Sequence, residues 1–176
     1  IYIATHNGLG IRFNENDARP IGRTARGVKA IELGEGDEVI GVATVEEGKS
    51  ILTVSETGFG RISDFDNYRV QSRGGKGLIN YHTEKNGDVA AVTSVSDDND
   101  IILIASDGII IRIPADGISK FARPSKGVRV MRVTEGEKIV TLTPVEKEEE
   151  EETVAEESAE TAESAESTET SEQTEE

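Results

Sequence analysis

Cysteine is absent from the 176 residues, which removes disulfides, thiolate metal sites and cysteine nucleophiles together and agrees with a cytoplasmic location. Aromatic residues make up 4% of the chain, too few to interleave an RGG-type RNA-binding tract. No apolar run approaches the roughly 18 residues of a membrane span, and nothing reads as a signal peptide. His6 and His82 are the only histidines, sit at unrelated places, and read as ordinary turn or strand residues rather than as metal ligands or a base. The chain opens at Ile1, already in a strand-like stretch with no initiator Met, and is expected to be a C-terminal piece of a longer protein.

Charge is abundant but very unevenly placed. The formal net charge is −16, yet residues 1–145 carry 18 Lys and Arg against 20 Asp and Glu, while residues 146–176 carry one Lys against 15 Glu. Val154 is the only large apolar residue of that last segment, so it cannot bury enough surface to offset ordering entropy and is expected to be a disordered acidic tail. It reads either as a solubilising tail or as a tethered competitor for a cationic surface.

The remaining 145 residues are organised by a period of 50. Gly8, Gly58 and Gly108 keep that spacing; so do Gly27, Gly77 and Gly127, and Ile1, Ile51 and Ile101. Each copy reads as four strands. The first two, for example "IILIA" and "IIIRI", are rich in β-branched residues and join across "SDG", "HNG" or "ETG", which predicts tight hairpins with positive φ at the turn. A third strand follows ("GVKAIEL", "GLINYHT", "GVRVMRV"), then a fourth ("EVIGVATV", "DVAAVTSV", "KIVTLTPV"). The expected fold is all-β, a propeller of four-stranded blades over residues 1–50, 51–100 and 101–145. Closed propellers need about 4 to 8 blades, so upstream blades are expected beyond this sequence. Solenoids, the structural alternative, have shorter repeats or helices in each unit.

Within that frame the cations recur. Arg23, Arg73 and Arg123 share one repeat position, and Arg26, Lys76 and Lys126 another, with Arg12 and Arg112, and Lys29 and Arg129, beside them. On successive blades these positions form a curved basic track, suited to the evenly spaced phosphates of duplex DNA. Gly74, Gly75 and Gly77 would let backbone approach phosphate closely. Six phosphate contacts would give a salt slope of about −5. Exposed Arg and Lys are also common on any solvated surface, and the repeat is what favours the track.

The stretch "QSRGGKG", Gln71 to Gly77, resembles the basic box of the C-terminal domain of DNA gyrase A, with Ser72 standing where the box has its second basic residue. "GRTARG" and "ARPSKG" are similar to more decayed copies. The resemblance implies a six-bladed β-pinwheel with strands exchanged between blades, whose outer edge wraps duplex DNA to support ATP-dependent negative supercoiling. It adds Gln71 to the DNA-binding set and implies as partners the rest of gyrase A, its dimer mate and gyrase B in an A2B2 enzyme. That enzyme is cytoplasmic and bound to the bacterial chromosome; its ATP and Mg2+ belong to other parts of it, so no cofactor is expected here. Two alternatives are the corresponding domain of topoisomerase IV and a protein-binding β-propeller.

Other motifs yield less. "GGKG" runs into Leu78 rather than Ser or Thr and is no nucleotide P-loop. Asp97, Asp98 and Asp100 lack the Gly and terminal Glu of a calcium loop. Tyr2, Tyr68 and Tyr81 lie in the repeat frame and are expected to pack rather than to act as nucleophiles; no catalytic site is expected.

Overall fold

The computed structural model describes residues 1–147. Three antiparallel sheets follow one another along the chain. The first joins β1 (Tyr2–Thr5), β2 (Leu9–Arg12) and β3 (Val39–Ala43). The second joins β4 (Ser50–Ser55), β5 (Phe59–Ser63) and β7 (Val89–Val95), and the third β8 (Asn99–Ala105), β9 (Ile110–Pro114) and β11 (Ile139–Glu146). The two short strands left over, β6 (Leu78–Ile79) and β10 (Val128–Arg129), cross to the preceding sheet. The sheet orders are therefore β3-β1-β2-β6, β10-β5-β4-β7 and β11-β8-β9.

The repeated hairpin follows from one glycine. Gly8, Gly58 and Gly108 have φ of 83°, 86° and 85°, and no other residue type has positive φ among the described residues. Each hairpin has a three-residue loop, as the pairing of Ala4 with Gly10 and of Val54 with Gly60 requires. The Gly amide bonds back to Thr5, Ser55 or Ala105 at 3.0 Å. This is a turn closed by one left-handed Gly, not a two-residue turn in which Asn7 or Asp107 would share the positive φ.

Strand exchange explains the other repeated glycine. β6 pairs with β2 through Leu9–Ile79 and Gly10–Leu78, and β10 pairs with β5 through Val128–Gly60 and Arg129–Phe59. A Cβ at Gly77 would lie 2.6 Å from the Gly10 carbonyl oxygen, and one at Gly127 would lie 2.1 Å from that of Gly60. Only glycine lets the incoming chain approach that closely. Gly27 and Gly108 meet nothing within 4 Å. Correspondingly, residues 27–33 form no strand, and β9 has no partner on its outer edge among the described residues.

Two cores tie the sheets together. Leu52, Val54, Ile62, Val95, Ile101, Leu103 and Ile139 form one cluster across the second and third sheets. Tyr2, Ala43, Ile51, Phe65, Tyr68, Tyr81 and Val89 form another across the first and second. The three tyrosines are buried, and the Tyr2 and Tyr68 rings meet edge to face at 4.7 Å. Glu146 belongs to β11, opposite Asn99, so the ordered strand runs one residue into the segment read as tail; residues 148–176 lie outside the described residues.

Candidate nucleic-acid interface

Each box-like loop follows the short 3-10 turn of its own repeat, and in the second and third repeats it enters the exchanged strand β6 or β10. The first fully framed one, residues 71–77, is bound along its length to the preceding repeat. Gln71 N–H donates to the Arg12 carbonyl at 2.8 Å, Gly74 N–H to Ala30 at 2.6 Å, and the Gly75 carbonyl accepts Glu32 N–H at 2.8 Å. The Gly74 amide is thus spent within the protein. The side-chain nitrogen of Gln71 is enclosed without a partner among the described atoms.

The repeated cations divide into two kinds. Arg73 donates through Nε to the Asp17 carbonyl at 2.8 Å and through Nη1 to Lys29 at 2.9 Å. Arg123 does the same fifty residues on, to Asn67 at 2.7 Å and Ile79 at 3.3 Å. This position staples each loop to the repeat before it, while Arg23 stands exposed. Arg26, Lys76 and Lys126, the other repeated position, are exposed, as are Lys29 and Arg129. Lys126 Nζ sits 3.7 Å from the centroid of the Phe59 ring and Arg129 Cζ 4.5 Å from it, so one aromatic ring attracts both cations.

Arg12 and Arg112 are committed to the fold. Arg12 Nη1 donates to the Phe65 carbonyl at 2.8 Å, beside Asp66 at 3.5 Å, and fixes the 3-10 turn of the second repeat. Arg112 Nε pairs with Asp100 at 2.8 Å, and its Nη2 reaches the Glu146 carbonyl at 2.9 Å. Sequence reasoning missed Phe59, whose repeat equivalents are Leu9 and Ile109, and the exposed pair Arg19 and Arg69, which the same 50-residue spacing would have revealed.

Away from these loops, His6 lies between Glu56 at 3.5 Å and Asp88 at 4.0 Å, and Lys138 Nζ binds Glu56 at 2.8 Å. Burial pushes the Glu56 carboxyl up, but bonds from Lys138 and His6 outweigh it and hold the group below the usual carboxylate range. His6, Glu56 and Asp88 offer atoms within 4.8 Å of one another that could ligate a metal. However, the two acids face different ring nitrogens of His6 and Lys138 occupies Glu56, a set suited to ion pairing across three repeats rather than to one cation.

The model of the DNA gyrase C-terminal domain, a beta-propeller, matches residues 1–46, 49–96 and 99–146. The chain belongs to the DNA gyrase C-terminal domain family. The DNA gyrase A protein of Staphylococcus aureus (strain NCTC 8325 / PS 47) is 40% identical over 156 residues, which is 87% of this chain and 18% of that protein. Its counterpart in Staphylococcus epidermidis is 39% identical over 153 residues, 85% of this chain and 17% of the relative. A solved DNA gyrase A C-terminal domain superposes with a TM-score of 0.75 at 27% identity, over 81% of this chain and 49% of the other. The C-terminal domain of DNA topoisomerase IV has a TM-score of 0.77 at 23% identity, over 82% and 46%, a likeness of fold. The three sheets are therefore pinwheel blades of the gyrase family. Gln71 to Gly77 lies on the loop that carries the second repeat's strand into the first blade.

Proposed function

We propose that this chain is part of the DNA-wrapping surface of DNA gyrase A, holding duplex DNA along the outer edge of its blades. The observation that supports this most directly is the contrast between the two repeated cations. Arg73 and Arg123 bond inward to carbonyl groups and hold their loops, whereas Lys76 and Lys126 on the same loops are exposed and Arg26 stands in register with them. Arg19, Lys29, Arg69 and Arg129 extend the exposed set. Such contacts to phosphates hold a backbone without reading sequence, and bending a few tens of base pairs costs about 1 to 6 kcal/mol, which the contacts must exceed. In the whole enzyme the bent duplex would feed ATP-driven strand passage with gyrase B and a second copy of gyrase A, in the cytoplasm on the bacterial chromosome.

The test is duplex binding by the chain over a salt series. The expected slope of log affinity against log salt is about −3 if only Arg26, Lys76 and Lys126 make contacts, and steeper if the flanking cations join. Affinity independent of salt would reject the reading.

A further inference from the structure

The second blade has a polar interior where its neighbours are apolar. Arg61, with 0% exposure, stands at the repeat position of Ile11 and Ile111. Around it, Thr53, Ser63, Tyr68 and Asn80 replace Ile3, Phe13, Ala18 and Ala30 of the first repeat and Leu103, Ile113, Ile118 and Val130 of the third. The Arg61 guanidinium donates to Ser63 Oγ, to the Asn80 carbonyl, to Asn80 Oδ1 at 2.9 Å and to the Ser125 carbonyl at 3.1 Å. Tyr68 OH donates to Asn80 Oδ1 at 2.5 Å, and Ser63 Oγ to the Phe121 carbonyl at 2.6 Å. None of the Arg61 partners is a carboxylate. A buried cation held only by neutral oxygens is costly, so its retention calls for a specific reason.

The reason lies in the next loop. In the loop of residues 71–77, Gly74 N–H bonds to Ala30 and Glu32 N–H bonds to Gly75, which zip that loop to the preceding repeat. Fifty residues on, the place of Gly74 is taken by Pro124, which has no N–H, and the place of Ala30 by Asn80. The Asn80 carbonyl would be an orphan acceptor; Arg61 Nη2 fills it. Ser125, at the place of Gly75, likewise gives its carbonyl to Arg61 Nε rather than to a backbone amide. One guanidinium thus bridges the two carbonyls that backbone amides serve in the other loop.

We infer that Arg61 is a positioning residue for the loop 121–127, holding exposed Lys126 and the staple Arg123 in place from inside the neighbouring blade, as a substitute for the amide that Pro124 lacks. The inference rests on the DNA-binding reading of that loop, so loop order and binding are measured separately on the full chain. Without DNA, Arg61→Ile makes the amides of Phe121 and Val130, which bond to the Ile62 and Gly58 carbonyls on either side of the loop, exchange about tenfold faster, while that of Gly74 is unchanged. Pro124→Gly, which restores the missing N–H as at Gly74, returns protection in the Arg61→Ile background. A general loss of stability would not be repaired at that one position. Should Arg61→Ile fail to fold, a variant carrying Thr53→Leu, Arg61→Ile, Ser63→Ile, Tyr68→Ile and Asn80→Val gives the blade the apolar interior of the third, and the same faster exchange is expected. Unchanged loop exchange in a folded variant, or no rescue by Pro124→Gly, overturns the inference. With a 20-base-pair duplex at low salt as probe, the loosened loop weakens affinity about threefold. Faster exchange with no duplex binding by the unaltered chain would remove the nucleic-acid role and leave Arg61 as a loop anchor.

Discussion

Arg123 Nε lies 2.7 Å from the carbonyl oxygen of Asn67, and that one bond, repeated between Arg73 and Asp17, separates cations that build the edge from cations that face outward. Charged donors bonded to backbone carbonyls contribute more than neutral ones, discounted here because both arginines are partly exposed. Arg123→Ala is expected to cost about 1 kcal/mol of stability, read as a lower urea midpoint at unchanged slope. Arg123→Lys is expected to recover only part of this, since ammonium lacks the two-pronged reach to Asn67 and Ile79.

Lys76→Ala and Lys126→Ala are expected to behave oppositely. Neither side chain bonds a backbone carbonyl, so Lys76→Ala should leave stability within about 0.5 kcal/mol and Lys126→Ala, which also gives up the Phe59 ring, within about 1 kcal/mol, while each change should reduce the salt slope of duplex binding by about 1. A melt and a binding isotherm at several salt concentrations check both halves.

Gly77→Ala and Gly127→Ala are expected to destabilise strongly, by about 2 kcal/mol or more, because strain at positive φ adds to collision with the neighbouring backbone. Gly27→Ala, with φ 83° and nothing within 4 Å, suffers only the conformational strain, about 1 kcal/mol. Thermal melts of the three variants give the comparison.

The Glu56–Lys138 pair predicts a pH window. Glu56 is lowered in the folded state, so its contribution is present above the unfolded value of about 4.3 and fades as pH falls through the folded value. Lys138 is raised, chiefly by its bond to Glu56, so its contribution is present below about 10.4 and fades as pH rises through the folded value. Lys138→Met should lower the melting temperature at pH 7, and the difference from the unaltered chain should shrink as pH falls and Glu56 takes up its proton.

Removal of residues 148–176 tests competition by the acidic segment, which holds 14 Glu and no Lys or Arg. The cut belongs after Lys147, because Lys147 Nζ pairs with Asp116 at 2.6 Å and Glu146 completes β11. Tighter duplex binding, largest at low salt, is the expected result; equal affinity at every salt concentration would mean the segment does not compete.

Much of this protein follows from its sequence alone. A strict 50-residue period of β-branched runs and turn glycines requires repeated hairpins, because only glycine takes up the positive φ at Gly8, Gly58 and Gly108 without cost. The same period, with box-like basic loops, marks the family. Tertiary structure alone decided what each repeated residue does. Strand exchange brings Gly77 against Gly10 and Arg73 against Lys29, partners 67 and 44 residues away, and no local pattern encodes such distances. Arg12 likewise looks like a surface cation until the second repeat folds over it, and Arg61 breaks the apolar rhythm for a reason visible only beside Pro124. Spacing in sequence determined which positions are equivalent; packing of one repeat upon the next determined whether a given charge turns inward to a carbonyl or outward to solvent, because only that packing brings carbonyls of the preceding repeat within bonding reach of Arg73 and Arg123.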